Sequence, residues 1–240
     1  METINYLLGY ENLKIYQDTE MFNFSLDSVL LPNFVTITKK TKRILDIGTG
    51  NAVIPMILTT KTDALIDAVE IQKDVYELGK KSIELNNLQD KINIMNQDIK
   101  EYSKNMETDT YDVITCNPPF FKVTETSNLN MNDYKTIARH EVKLNLDDIM
   151  SIGRKLLKNN GNIAIVHRTD RLIDIITTMR KYNIEPKKIR FIYPKKNTES
   201  NIVLVEGTKN GNPGLKILSP LVSHTEEDEY TDEIKQYFTN

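Results

Sequence analysis

The sequence contains very little cysteine and no long hydrophobic run. Its single cysteine, Cys116, cannot form an internal disulfide, which excludes the disulfide-stabilised class of small secreted domains. No apolar stretch approaches the ~18 residues that a membrane helix needs. The N-terminal stretch METINYLLGYENL includes acidic residues and no basic residue, so it lacks the positively charged start of a secretory signal peptide, and we expect none. Together these absences predict a cytoplasmic protein that does not enter a membrane.

The chain also lacks an overall excess of positive charge. Its 240 residues carry a net charge of −3, which excludes a generally basic nucleic-acid binder. The charge is unevenly distributed, because residues 180–216 hold nine Lys or Arg against three acidic residues, whereas residues 221–240 hold six acidic residues against one Lys. The acidic segment is typical of a solvated tail. The basic segment is either solvated surface or a local anion-binding site.

Strand-like and helix-like patterns alternate from residue 42 onward, without a repeat of fixed period. We therefore predict an α/β fold with a doubly wound, mostly parallel sheet of seven strands, whose last two strands form an antiparallel pair. The expected strands are 42–47, 64–70, 91–98, 111–116, 162–167, 187–194 and 201–209. The expected helices are 51–60, 73–88, 144–161 and 171–183.

Three parts of the chain are expected. Residues 1–41 form an N-terminal extension that packs on the core, with a short hairpin at 5–17 and a helix at 25–34 that Ser25 caps. Residues 42–220 form the main domain, and residues 221–240 form the acidic C-terminal tail.

A glycine-containing loop follows the first predicted core strand. It includes Gly48, Thr49 and Gly50, and glycines allow a ligand to approach the backbone closely. The third glycine of the dinucleotide-binding motif is absent, and Asp46 precedes the loop. Because this carboxylate would repel a pyrophosphate, the loop favours a cationic or amine-bearing ligand over a nicotinamide dinucleotide.

Two further acidic residues end the next two predicted strands. Glu70 is placed to accept the ribose hydroxyls of a nucleoside, and Asp98 to accept an adenine amine, with Ile71 and Ile99 as apolar neighbours. Each acid alone is more simply a surface charge. Together with Asp46 they predict a site for S-adenosylmethionine, an adenosine with a cationic amino-acid appendage and no phosphate.

The fourth strand ends in the stretch Asn117-Pro118-Pro119-Phe120. Alone it could be a rigid loop that caps the sheet. The Asn117 side-chain oxygen and the Pro118 carbonyl can also accept hydrogen bonds from one planar NH2 group, while two prolines fix the backbone. Phe120 can stack on a flat ring that has left its base stack. In the context of the three preceding loops, we predict that these four residues are catalytic.

These motifs resemble the class I S-adenosylmethionine-dependent N-methyltransferases, whose Rossmann-like fold covers roughly residues 20–218. Several sequence segments are more specifically similar to the bacterial tRNA (adenine-N6)-methyltransferases that modify adenine 37 of a valine tRNA. Many members of that family have Tyr at the position of Phe120, and Phe retains the stacking face without the hydroxyl. These segments are FSLDSVLL (24–31), CNPPFFK (116–122), ARHE (138–141), YPKKNTESNIVLVEGTKNG (193–211) and GLKILSPL (214–221).

The resemblance implies a fold, a cofactor, a partner and a set of site residues. Residues 42–220 would be the methyltransferase domain, S-adenosylmethionine the cofactor and tRNA the partner, with no metal. The cofactor-binding residues would be Asp46, Gly48, Thr49, Gly50, Glu70, Ile71, Asp98, Ile99 and Asn117. The substrate contacts would be Phe121, Arg139, His140, Lys195 and Lys196, with the two lysines on phosphates.

Several alternatives are open at this point. The same loop chemistry suits a protein glutamine, a DNA adenine or an RNA guanine N2 amine, since each presents a planar NH2 group. A non-catalytic RNA-binding module is a second alternative. His140 is either a general base or an ordering contact, and Phe121 either lines the base pocket or packs inward. Oligomeric state is not predicted.

Overall fold

The computed structural model describes residues 2–7, 10–18, 25–118 and 144–237. Within these ranges it contains eleven strands and seven α-helices. The strands are β1 Glu2–Leu7, β2 Tyr10–Asp18, β3 Arg43–Ile47, β4 Leu65–Glu70, β5 Ile92–Asn96, β6 Tyr111–Cys116, β7 Leu157–Arg168, β8 Ile184–Tyr193, β9 Ile202–Lys209, β10 Lys216–Ile217 and β11 Leu221–Val222. The helices are α1 Leu26–Phe34, α2 Val53–Leu58, α3 Lys73–Leu85, α4 Ile99–Asn105, α5 Leu146–Leu156, α6 Leu172–Lys181 and α7 Asp232–Tyr237.

The main sheet has the order β10-β8-β9-β7-β6-β3-β4-β5, with β11 also paired to β8. Strands β5, β4, β3, β6 and β7 are parallel, and β9 is antiparallel to both β7 and β8. The predicted α/β fold and its antiparallel strand are therefore confirmed. The seven expected strands correspond to β3–β9, and two-residue strands extend the edge. The strand order reverses between β3 and β6, because β4 and β5 follow on one side of β3 whereas β6 and β7 follow on the other. Open α/β sheets bind ligands at such a point.

Strand side chains supply both layers of the core. In β7, Ile163 and Ile165 belong to one hydrophobic cluster, whereas Ala164 and Val166 belong to the other. This alternation follows from the two-residue period of a strand and covers both faces of the sheet with helices. The first cluster includes residues of α1 and α2, and the second includes residues of α5 and α6. The sheet is thereby fixed between two apolar layers, with its strand ends left for polar residues.

The helix predicted over 144–161 is wrong at its C-terminal end. Helix α5 ends at Leu156, and residues 157–161 already belong to β7. The Asn-Asn-Gly sequence forms an irregularity within the strand, where the register with β6 shifts between Tyr111 and Val113. A Cβ at Gly161 would lie 2.9 Å from the Lys158 carbonyl oxygen and 3.0 Å from the Asp112 carbonyl oxygen of β6, so the close approach of two backbones explains the glycine that had indicated a helix end.

The N-terminal hairpin and helix are present as expected. Strands β1 and β2 pair antiparallel, and α3 hydrogen-bonds to the free edge of β2. The Asn86 side chain accepts from the Lys14 N–H (2.9 Å) and donates to the Lys14 carbonyl (2.6 Å), while the Ser82 hydroxyl accepts from the Tyr16 N–H (3.0 Å). The Asn86 side chain thus pairs both the N–H and the carbonyl of Lys14 at the edge of β2, as a neighbouring strand would.

Helix α1 is attached to the sheet by a buried polar cluster. The Glu206 carboxylate accepts from the Thr36 N–H (2.6 Å) and the Thr36 hydroxyl (2.7 Å). Lys188 lies 3.2 Å from the same carboxylate and donates to the Phe34 carbonyl at 2.7 Å. These bonds fix the C-terminal end of α1 on β8 and β9. At the other end, Ser25 occupies the cap position as predicted, but its hydroxyl donates to the Asp27 carboxylate (3.1 Å) and makes no side-chain cap bond.

Part of the acidic C-terminal segment packs on the main sheet. Strand β11 pairs with β8, Ile234 of α7 is fully buried, and Arg190 of β8 contacts the Glu233 carboxylate and the Tyr237 hydroxyl. The division of the chain at residues 41 and 220 stays a prediction. None of the helices in the described ranges combines the length and hydrophobicity required to span a membrane.

We expect Asn86→Ala to lower the free energy of unfolding by about 1–2 kcal/mol, because two hydrogen bonds to the β2 backbone are lost. The hairpin should also become more sensitive to proteolysis. Denaturant titration and limited proteolysis measure both effects. Asn105→Ala is the matched control, since among the described residues the Asn105 amide bonds only to the carbonyl of Glu101 in its own helix. Equal effects of the two substitutions would contradict this account of the hairpin.

Candidate active site

The parallel strands bring the four predicted loops to one edge of the sheet. Asp46 of β3 is in register with Ala68 of β4 and Thr115 of β6, and Glu70 at the end of β4 is in register with Asn96 of β5. Because the carboxyl ends of parallel strands point the same way, the loops after β3, β4, β5 and β6 share this edge.

The glycine loop after β3 makes a tight turn over β4. Gly48 and Gly50 have φ angles of 66° and 61°, a region that strongly favours glycine. The N–H groups of Gly48 and Thr49 both donate to the Val69 carbonyl, at 2.9 and 3.0 Å. A Cβ on Gly79 of α3 would lie 3.1 Å from the Gly50 carbonyl oxygen, so a glycine in the helix allows the loop to pack closely on it.

The carboxylate of Glu70 connects the loop after β3 to the loop after β4. One oxygen accepts from the Gly50 N–H (3.0 Å) and the other from the Gln72 N–H (2.8 Å). Burial raises the pKa of Glu70, while the two N–H groups oppose this increase. Each oxygen retains a further lone pair, so the group can both fix the loops and accept a ligand hydroxyl.

Asp46 is a fully buried carboxyl group with one oxygen uncommitted. Its Oδ1 accepts from the Thr115 hydroxyl at 2.6 Å. Its Oδ2 and the buried hydroxyl of Thr49 make no hydrogen bond of good geometry among the residues that the structure describes. Burial raises the pKa of Asp46 to about 7 although the Thr115 and Thr49 hydroxyls lower it, and the nearby charge of Glu70 adds to the increase. A cationic group is the ligand that would best satisfy this oxygen.

Asp98 and the two isoleucines lie at the same edge. Asp98 caps α4, where its carboxylate accepts from the Lys100 N–H at 2.8 Å. Ile99 is buried in the second hydrophobic cluster, and the Ile71 carbonyl accepts from the side-chain amide of Asn96 at 3.2 Å. Their roles toward a cofactor stay predictions, while the cap gives Asp98 a local function that the strand pattern had not indicated.

Asn117 follows β6 directly, and its amide contacts the N-terminal helix. The Asn117 Nδ2 donates to the Ser28 hydroxyl at 3.2 Å, and Pro118 is buried. Cys116, just before them, is fully buried, and burial raises the pKa of its thiol well above the usual range. This agrees with a core role for the cysteine. The remaining predicted residues of this region, Pro119, Phe120, Phe121, Arg139 and His140, lie outside the described residues.

The two predicted phosphate contacts lie in the turn between β8 and β9, which is at the same edge as the other loops because β8 runs parallel to β7. Lys195 pairs with the Asp228 carboxylate (2.8 Å) and donates to the Glu226 carbonyl (3.1 Å), whereas Lys196 is exposed. Their contact with phosphate stays a prediction. Six of the nine basic residues in the segment 180–216 form ion pairs within the fold: Arg180, Lys181, Lys188, Arg190, Lys195 and Lys209.

Sequence patterns did not identify Thr115 or Ser28 as site residues. Thr115 lies inside an apolar strand, and Ser28 lies 89 positions before the amide that it contacts. Thr115 could have been identified by its position two residues before Asn117, because side chains two residues apart in an extended backbone point to the same side. Across the described ranges, no group of three or more His, Cys, Asp or Glu residues could hold a metal ion.

The chain is similar in sequence to proteins that are named as methyltransferases. Three relatives, each named tRNA1(Val) (adenine(37)-N6)-methyltransferase, match most of the chain. The protein from Parabacteroides distasonis is 28% identical and covers 82% of this chain and 81% of its own length. That from Bacteroides thetaiotaomicron is 26% identical with 98% of both chains covered. That from Trichodesmium erythraeum is 30% identical over 68% of this chain and 67% of its own.

Solved structures share the fold. The crystal structure of a predicted O-methyltransferase from Agrobacterium tumefaciens has a TM-score of 0.69 at 17% identity, covering 88% of this chain and 95% of that one. A geranyl diphosphate C-methyltransferase from Streptomyces coelicolor, solved with S-adenosyl-L-homocysteine, has a TM-score of 0.57 at 9% identity, covering 76% and 79%. The family model "Methyltransferase small domain" matches residues 24–182, which include the loops after β3, β4, β5 and β6. The chain therefore belongs to the methyltransferase small domain family.

Proposed function

We propose that the protein transfers a methyl group from S-adenosylmethionine to the exocyclic N6 of an adenine in tRNA, with adenine 37 of a valine tRNA as the target. The observation that carries the proposal is the placement of Asp46, Glu70 and Asn117 at one sheet edge, in a chain whose relatives are named for this reaction. The tRNA partner implies a cytoplasmic location.

The residues at this edge fit S-adenosylmethionine. The uncommitted Oδ2 of Asp46 and the hydroxyl of Thr49 match its ammonium group, and Glu70 has lone pairs for its ribose hydroxyls. Asp98 and Ile99 are assigned to its adenine. When bound, the cofactor supplies an electrophilic methyl group.

Asn117 and Pro118 act on the amine of the substrate. The Asn117 Oδ1 and the Pro118 carbonyl accept hydrogen bonds from its two N–H groups. This pulls the nitrogen toward tetrahedral geometry and frees its lone pair to attack the methyl group. Catalysis then consists mainly of positioning, since the Pro118 carbonyl is part of the backbone just after a strand and the Asn117 side chain directly precedes it. The methylated nitrogen loses its extra proton to solvent. The buried, neutral thiol of Cys116 takes no part.

We expect Asn117→Ala to lower kcat by at least about 100-fold, because it removes one of two acceptors aimed at the amine. The affinity for S-adenosylmethionine should stay within about threefold of the wild-type value. Steady-state kinetics and calorimetry measure the two quantities, with Asn105→Ala as the control. Methyl transfer at more than a tenth of the wild-type rate in Asn117→Ala would contradict the role given to this amide.

Binding of the cofactor should depend on pH through Asp46. The pKa of about 7 in the folded protein lies above the value of about 4 in the unfolded chain. The contribution of Asp46 to the free energy of unfolding of the ligand-free protein should therefore fall as pH rises from about 4 to about 7, because only the unfolded chain releases this proton over that range. A cationic ligand favours the ionised carboxylate, so affinity should increase as pH rises from about 5.5 to about 7.

Calorimetry across this pH range tests the expectation in the wild type and in Asp46→Asn. The substitution should weaken binding at neutral pH by about tenfold or more and flatten the pH dependence. Asp63→Asn, at an exposed carboxylate paired with Lys91, serves as the control and should behave as the wild type. Wild-type affinity that does not change between about pH 5.5 and pH 7 would refute the role of Asp46.

The substrate is tested with unmodified transcripts. Labelled S-adenosylmethionine is offered with a valine tRNA, with the same tRNA carrying guanine at position 37, and with a protein release factor. Nucleoside mass spectrometry should find N6-methyladenosine only in the first. Label in the release factor alone would assign the same chemistry to a glutamine amide, and label in neither would reject the proposed function.

A further inference from the structure

We propose that Ser28 is a positioning residue that holds the Asn117 side chain in the orientation required for amine recognition. This inference rests on the proposed function, because it assigns the acceptor that the substrate amine meets. Ser28 belongs to α1, which precedes the whole methyltransferase sheet in the chain, and it is 9% exposed. The N-terminal extension would therefore contribute directly to the catalytic loop.

The contact that carries the inference joins the Asn117 Nδ2 to the Ser28 Oγ at 3.2 Å. A side-chain amide has one acceptor oxygen and one donor nitrogen, which lie in one plane on either side of the Cβ–Cγ bond. Once the nitrogen is committed to Ser28, the Oδ1 points away from α1. The rotated amide would present its NH2 to the substrate, donor against donor, even though the Ser28 hydroxyl could then donate to the Oδ1, so only the described orientation suits amine recognition.

Helix α1 is held firmly enough to serve as this reference. Its residues Ser28–Pro32 are buried, and its C-terminal end is fixed by the bonds of Phe34 and Thr36 to Lys188 and Glu206. The Asn33 side chain adds a bond to the Val29 carbonyl at 2.8 Å. A hydroxyl on a buried, multiply anchored helix keeps a fixed position, whereas Asn117 lies at the start of a loop and needs an external support.

Three variants test the inference. Ser28→Ala removes the acceptor, Ser28→Thr retains a hydroxyl, and Ser103→Ala is the matched control, because Ser103 is a buried helical serine whose hydroxyl donates to the Lys100 carbonyl (2.9 Å). For each we would measure kcat, KM for the tRNA and cofactor affinity. We expect Ser28→Ala to lower kcat about fivefold, because one neutral hydrogen bond is lost. KM for the tRNA and the cofactor affinity should stay within about twofold of the wild-type values. Ser28→Thr should recover at least half of the lost rate if its added methyl group is accommodated.

Nuclear magnetic resonance of the ligand-free protein gives a readout that does not depend on activity. The Asn117 side-chain amide is assigned by its disappearance in Asn117→Asp. In the wild type one of its protons should exchange slowly with solvent because it is hydrogen-bonded, and in Ser28→Ala this protection should be lost. The spectrum of Ser103→Ala should retain it.

The outcomes separate the two proposals. A wild type that methylates no tRNA would reject the proposed function, while the amide spectrum would still decide whether Ser28 holds Asn117. An active wild type combined with a Ser28→Ala rate within twofold of it would overturn the positioning role. So would an Asn117 amide that is equally protected with and without the Ser28 hydroxyl, or an equal loss of kcat in Ser103→Ala.

Discussion

The site depends on one carboxylate that is buried where two loops meet. Glu70 accepts a backbone N–H from Gly50 in the loop after β3 and another from Gln72 in the loop after β4. These two bonds offset part of the cost of burying the charge and join the loops into one surface. The uncommitted oxygen of Asp46 lies in this setting, and burial brings its pKa to about 7. A site built in this way is arranged to receive a cation.

The N-terminal extension completes the other half of the site. Helix α1 is fixed to the far strands of the sheet through Glu206 and Lys188, and its first turn contacts Asn117 through Ser28. In the proposed function the cofactor contacts come from the loops after β3, β4 and β5, whereas the amine-binding residues follow β6. The parallel sheet then sets the distance between these two groups, and α1 is proposed to set the direction of the Asn117 amide through Ser28. These few polar contacts connect the sheet and α1 to the side chain of Asn117.

The sequence predicted the parts of this structure that depend on local pattern. Alternating apolar runs predicted β3–β9, and acidic residues at strand ends predicted that Asp46, Glu70 and Asp98 lie at one edge of the sheet, since parallel strands must bring such ends together. Contacts between distant segments were not predictable, because no local pattern encodes the pairing of Thr36 with Glu206 or of Lys195 with Asp228. The Asn-Asn-Gly stretch was misinterpreted for a related reason. A glycine indicates an unusual backbone, but whether it ends a helix or interrupts a strand is decided by its neighbours in space.

The most direct test of the account is nucleoside mass spectrometry of valine tRNA from cells with and without the gene, and from cells that carry Asn117→Ala in its place. The account predicts N6-methyladenosine at position 37 in the first, and its absence in the other two. N6-methyladenosine that persists at that position after loss of the gene, or that the Asn117→Ala protein restores, would contradict the central claim that this loop transfers a methyl group to an adenine amine.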